Sequence, residues 1–403
     1  MVFLLQNYKY LCLIRINLCE GRYIYILNLI KEELSSSLSS STLLWIYFLV
    51  AIGVALQVGA ANWDIIWHGV VNVESFFTPP HTVLYSGVGL SLIATIAGII
   101  FSIKQKTSLK KEPFSIYYKI PNPLKLIALG CLVEVFSGQF DNWWHANFGF
   151  DGLLSPPHLM LISGMLLLIL GALIGTHLSE IHKKFKILSE MICYGILWMI
   201  IINFVFMFTL PFSEGQYFDF NPSPTAALVL GSTLPGIFTA IIFYSLQNLP
   251  FPFRMTVVTA TLMTIQSSAT ITSNNYFVGL FPLYLLNLLI PLSLDFISIY
   301  AQKNNKMVGI FMNKEHRRII FSIAISFFFI TFYFPWSVNM FKSFFGIDLI
   351  TFESVLIFEQ LLWKFIIPVL MPVSFVSAYV GILIWKKSCG YSKFTDMFKV
   401  AVR

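Results

Sequence analysis

Residues 155–177 read SPPHLMLISGMLLLILGALIGTH. From His158 to His177 there is no Asp, Glu, Lys or Arg, and about 20 apolar residues in helical form cross the roughly 30 Å of a bilayer's hydrocarbon. The paired prolines suit the first turn of a helix, where a missing N–H costs nothing and φ is already near its helical value. The stretch therefore predicts a membrane-crossing helix whose first turn carries a histidine.

The whole chain agrees with that reading. Of 403 residues, 57% are hydrophobic and 11% charged, and the mean hydropathy is +0.77. A soluble domain carries about 25% charge, so a soluble enzyme, a disordered chain and a nucleic-acid binder are all excluded. Apolar runs predict an all-α, polytopic transmembrane bundle of about ten spans, at 42–61, 80–103, 123–140, 157–177, 191–211, 225–246, 254–273, 277–298, 319–336 and 356–385. Alternate connections collect 24 of the 26 Lys and Arg; Lys342 falls on the other side, and Lys364 lies inside the tenth run. Basic residues stay cytoplasmic, which puts both termini inside. The Cys residues (Cys12, Cys19, Cys131, Cys193, Cys389) form no CxxC, so neither a disulfide framework nor a thiolate metal site is expected.

The same Pro-Pro-His element occurs twice. Asp64-Ile65-Ile66-Trp67-His68 leads to Thr78-Pro79-Pro80-His81, and Asp141-Asn142-Trp143-Trp144-His145 leads to Ser155-Pro156-Pro157-His158, at an offset of 77 residues. Gly53 and Gly130, Gln57 and Glu134, and Gly87 and Gly164 keep that offset. An internal repeat of two helical hairpins follows. The chain divides into a cytoplasmic segment 1–41, duplicated hairpins over 42–180, further transmembrane helices over 181–386 and a basic cytoplasmic tail over 387–403.

The spacing is that of a metal site. An Asp and a His four residues apart share one helix face, with about 5–6 Å between Cβ atoms. The returning Pro-Pro-His swings a second imidazole over that pair. Each hairpin would thus offer one carboxylate and two imidazoles, a set that suits copper(II), zinc or non-haem iron(II). The candidate metal ligands are Asp64, His68 and His81, then Asp141, His145 and His158. The tryptophans beside them also fit an interfacial aromatic belt.

These residues resemble one membrane component of the copper membrane monooxygenases, the particulate methane and ammonia monooxygenases, over about residues 42–180. That component carries an Asp-x3-His-x12-His copper site. The resemblance rests on this spacing, with Trp67 before the first His, the Thr78-Pro-Pro-His81 turn and Tyr85-Ser86-Gly87 after it. The family has a second site one hairpin later, with Asn where this chain has Asp141. Residues 190–403 match nothing comparable. The resemblance implies copper at both sites, a role in hydroxylating a small substrate such as ammonia or a hydrocarbon, and two further monooxygenase subunits as partners. Phe76, Phe77, Leu153 and Leu154 are expected to wall the sites from water. Rival readings of the same ligands are a copper-handling or transport protein, and an assembly component whose metal is structural. A transporter calls for a trail of ligands across the bilayer, for which Met191, Met199, Met207, Met255, Met263 and Cys193 are the scattered candidates.

Other polar residues stand out against the apolar background. Glu134 lies two turns before Asp141, and an intramembrane carboxylate marks function or a partner. Its expected roles are a proton relay to the site or an ion pair, with Lys364 as the partner. Phe218–Pro224 reads as a plain turn or as a decayed copy of the hairpin that has lost its His. His177, His182 and His316, set among Lys and Glu, are expected to be solvated, and so are Glu353 and Glu359. No phosphate-binding, acyl-transfer or zincin motif occurs.

Overall fold

The computed structural model describes residues 41–70, 77–105, 120–149, 153–179, 183–209, 224–246, 249–273, 288–303, 314–328 and 367–388. They form ten helices: α1 (Ser41–Val70), α2 (Pro79–Gln105), α3 (Asn122–Phe148), α4 (Pro156–Leu178), α5 (Lys183–Thr209), α6 (Pro224–Leu246), α7 (Arg254–Ser273), α8 (Leu289–Lys303), α9 (Lys314–Phe328) and α10 (Ile367–Ser388). No strand occurs among the described residues. Each helix overlaps one of the ten apolar runs, in the same order. The N-terminal segment 1–40, Lys364, Glu353, Glu359 and the turn at 218–223 lie outside the described residues.

Among the described residues, six helices are long and apolar enough to cross a membrane: Ser41–Ile65, Pro79–Lys104, Asn122–Phe148, Pro156–Leu178, Lys184–Val205 and Val229–Leu246. These are the helices of a multi-pass membrane protein. Of the others, α7 is threaded with Thr and Ser, and α8 and α9 have 15 residues each.

Helix ends differ from the apolar runs where it matters most. α1 continues to Val70 and α3 to Phe148, beyond the falls in hydropathy at 61 and 140. The backbone ladder does not depend on apolar side chains, so both Asp-x3-His segments stay helical to their last turn. The returning helices start where the prolines predict. Pro156 and Pro157 open α4, and Pro79 and Pro80 open α2. Thr78 caps α2, its Oγ1 accepting the His81 N–H at 3.4 Å and its carbonyl accepting the Thr82 N–H at 2.9 Å.

α1 and α2 form one antiparallel hairpin and α3 and α4 the next; α1 also packs on α4 and α2 on α3, closing a four-helix unit. In lipid, close backbone approach drives helix pairing, so small residues mark the crossings. A Cβ on Gly87 would lie 2.5 Å from the Gly53 carbonyl oxygen, and one on Gly130 would lie 3.0 Å from that of Gly164. Leu43, Tyr47, Val50, Leu124, Ile127, Leu168 and Ile169 fill the space between the helices. α5 lies against α4 and α1, and α7 against α1 and α5; α6, α9 and α10 form a further cluster joined through α5. Buried Asp295 of α8 anchors the start of α7, accepting the backbone N–H groups of Thr256 at 2.8 Å and Met255 at 3.4 Å. The last turns of α1 and α3 and the first turns of α2 and α4 all meet at one end of the four-helix unit.

Candidate metal centre

At that end Asp141, His145 and His158 converge. One ligand atom from each falls within 4.8 Å of the other two. His145 Nε2 is 3.5 Å and His158 Nε2 3.4 Å from Asp141 Oδ1. These separations exceed a good hydrogen bond, and Oδ1 is buried without one. Both imidazoles approach the carboxylate at ion-pair distance, and the three atoms lie close enough together to share one metal ion. Their side chains are 22–28% exposed, so the point is reachable.

The end of α3 orients one of these rings. Gly149 follows the helix with φ of 73° and returns its N–H to the His145 carbonyl at 3.0 Å. That left-handed conformation favours glycine. It brings the Gly149 carbonyl within 3.2 Å of His145 Nδ1. A carbonyl only accepts, so Nδ1 carries the hydrogen, and Nε2 is the nitrogen that faces Asp141. Such a bond on the far nitrogen is what holds a metal-ligating imidazole in its tautomer. The two rings lie 5.9 Å apart, centre to centre.

The first hairpin repeats part of this. His81 Nε2 lies 3.2 Å from Asp64 Oδ2, the counterpart of the His158–Asp141 approach. His68 sits on the last turns of α1, one turn beyond Asp64; its side chain lies outside the described residues. Two of the three expected ligands are thus brought together. The hairpins also meet each other. Asp141 lies within electrostatic reach of His81, and Tyr85 of both Asp64 and Asp141. The Tyr85 ring is 5.9 Å from that of His81, and a Cβ added to Gly138 of α3 would meet its edge at 4.0 Å. In the sequence Tyr85 is marked only by its place near the Pro-Pro-His turn; its position between two carboxylates follows from α2 packing on α3.

The expected water-excluding wall is modified. Phe77 is 73% exposed, while Leu153 and Leu154 are half-buried; Phe76 lies outside the described residues. The tryptophans split as well. Trp143 is exposed, whereas Trp144 is buried, its ring 4.5 Å from that of Phe148. The Met candidates for a ligand trail are all buried, in surroundings where methionine fills irregular gaps.

His177, expected to be solvated, is half-buried instead. Its Nδ1 lies 2.9 Å from Oε1 of Glu190 on α5, itself only 4% exposed. α5 packs directly on the end of α4, which a reading of the chain as separate spans does not reveal. The side chains of His182 and His316 lie outside the described residues. No family model matches the chain, and neither a curated protein nor a solved structure does.

Proposed function

We propose that this chain is an integral membrane copper protein, related to the Asp/His copper-site component of the copper membrane monooxygenases and acting as part of an oxygenase. The observation that carries the reading is the convergence of Asp141 Oδ1, His145 Nε2 and His158 Nε2 on one point. One carboxylate and two imidazoles fit copper, and also fit zinc or iron(II); the resemblance of the motif selects copper. Asp141, His145 and His158 would hold one metal, and Asp64, His68 and His81 a second. Copper held there would supply one-electron redox chemistry at a centre with open positions. The chain's own contribution is to fix the ligands: Gly149 sets the His145 tautomer, and the Thr78 cap sets the turn that carries His81.

The two hairpins are copies of one unit in this reading. The matched close approaches, Gly53 to Gly87 and Gly130 to Gly164, support it. The ten helices are read as ten spans, with both termini cytoplasmic and the metal end facing out, on the strength of the Lys and Arg distribution. Further monooxygenase subunits and a small apolar or ammonia-sized substrate belong to the same proposal. The transport reading finds less support, because the methionines that would form its trail serve as packing residues.

Mass-spectrometric metal analysis tests this on protein purified in detergent, beside the variants His81→Ala and His158→Ala. About two copper per chain are expected, falling by one in each variant. A folded, copper-supplemented protein without bound transition metal would withdraw both the centre and the oxygenase role.

A further inference from the structure

Midway along the four-helix unit, away from the metal end, Glu134 of α3 faces the interior. It is 2% exposed, and neither carboxylate oxygen has a hydrogen bond of good geometry, although the Gln57 amide lies near enough to act as a donor. The side chain that acts on it is Gln57 of α1, fully buried and its counterpart at the 77-residue offset. Gly164 of α4 closes the other side, where a Cβ would fall 2.6 Å from Glu134 Cγ. Cys131, one turn back on α3, is the titratable group that feels Glu134.

Counting hydrogens here exposes a shortage. Ser91 spends its hydroxyl hydrogen on the Gly87 carbonyl at 3.0 Å and receives one from Gln57 Nε2 at 3.3 Å. Ser137 spends its own on the Glu134 backbone carbonyl at 2.9 Å. Gln57 Oε1 is left without a hydrogen bond of good geometry, like both Glu134 oxygens. Buried acceptors left in that state are costly. A single added proton relieves the deficit, because a carboxylic acid can donate to Gln57 Oε1 while the amide N–H points back at the acid's carbonyl oxygen.

We propose that Glu134 and Gln57 form a proton-binding site, in which Glu134 is held as the carboxylic acid and supplies its proton to the metal centre. The transfer breaks the acid's O–H bond and forms an O–H bond on a hydroxide that reaches the centre, giving water and leaving Glu134 as carboxylate; nothing is oxidised. Ser137 and Asp141 follow Glu134 at three and seven residues, on one face of α3. Seven residues of helix span about 10 Å, so Ser137 stands between donor and centre. The binding half of the proposal needs no metal; only the transfer rests on the copper reading.

Infrared difference spectra in H2O and D2O test the binding half, on wild type, Glu134→Gln, Gln57→Leu and Lys364→Met. The expected result is a protonated-carboxyl C=O band that shifts in D2O, is missing in Glu134→Gln and moves to higher frequency in Gln57→Leu. Should Glu134→Gln not fold, the Gln57→Leu shift decides. A wild type without the band, or its survival in Glu134→Gln, overturns the site; a band seen only in Lys364→Met replaces it with an ion pair. The band should persist in His145→Ala/His158→Ala, which separates this site from the metal centre. On metal loading the protonated-carboxyl band of wild type should fall, as Glu134 becomes a carboxylate; an undiminished band overturns the transfer.

Discussion

The two hairpins share a plan and differ in what fills it. α1/α2 and α3/α4 each place an Asp near the end of the outgoing helix and a His on the first turn of the return, with Nε2–Oδ separations of 3.2 and 3.4 Å. Each crosses at a pair of glycines. The differences lie in the supporting residues. Glu134 replaces Gln57 at mid-height, Ile162 replaces Tyr85, and Gly149 stands where the first hairpin has Asn72. The lesson is that a glycine crossing and an Asp–His approach recur in both hairpins, whereas the residues around them differ and give each hairpin its own surroundings.

The shared crossings give the sharpest test of that comparison. Gly164→Leu and Gly87→Leu should each force two backbones apart, because a Cβ at either position already falls 2.5–2.6 Å from an atom of the facing helix. Overpacking of this kind costs about 1–3 kcal/mol or more. Thermal unfolding in detergent should show both variants well below wild type and by similar amounts; a loss confined to one would break the equivalence of the hairpins.

The ligand carboxylates come next. Asp141→Asn removes the charge but keeps the shape, and should weaken metal binding at the second centre about tenfold, or roughly 1.4 kcal/mol. Competition against a chelator of known affinity measures this. Asp64→Asn should act comparably on the first centre, and a null result at Asp141 alone would make the second site a copy in sequence but not in function. The smallest effect belongs to Gly149→Ala. A β-carbon at φ of 73° costs about 1 kcal/mol, and loss of the turn frees the His145 ring. The spectrum of a metal at the second centre should shift while that at the first stays constant.

The legibility of this protein in its sequence follows the range of the forces involved. The helices and their order are readable because a bilayer demands long apolar stretches, and α4 begins at the Pro-Pro pair that marks it. Of the run 277–298 only residues from 288 onward are described, and the helix there is Leu289–Lys303, reaching five residues past the apolar run. The Asp141–His145–His158 cluster is legible since its members belong to one hairpin, with i,i+4 spacing and a short return. His177 misleads because its partner, Glu190, belongs to the next helix, and local composition carries no information about how α5 settles on α4.

The sequence by itself determined the helices, the hairpin ends and the pairing of Asp64 with His81 and Asp141 with His158, all of which depend on helical periodicity and proline geometry within about twenty residues. Only the tertiary structure decided that the hairpins close into one four-helix unit. That closure brings His81 within reach of Asp141, sets Tyr85 between two carboxylates and faces Gln57 toward Glu134. Those contacts join residues from different hairpins, and they are selected by how closely glycine-lined backbones approach rather than by any spacing along the chain.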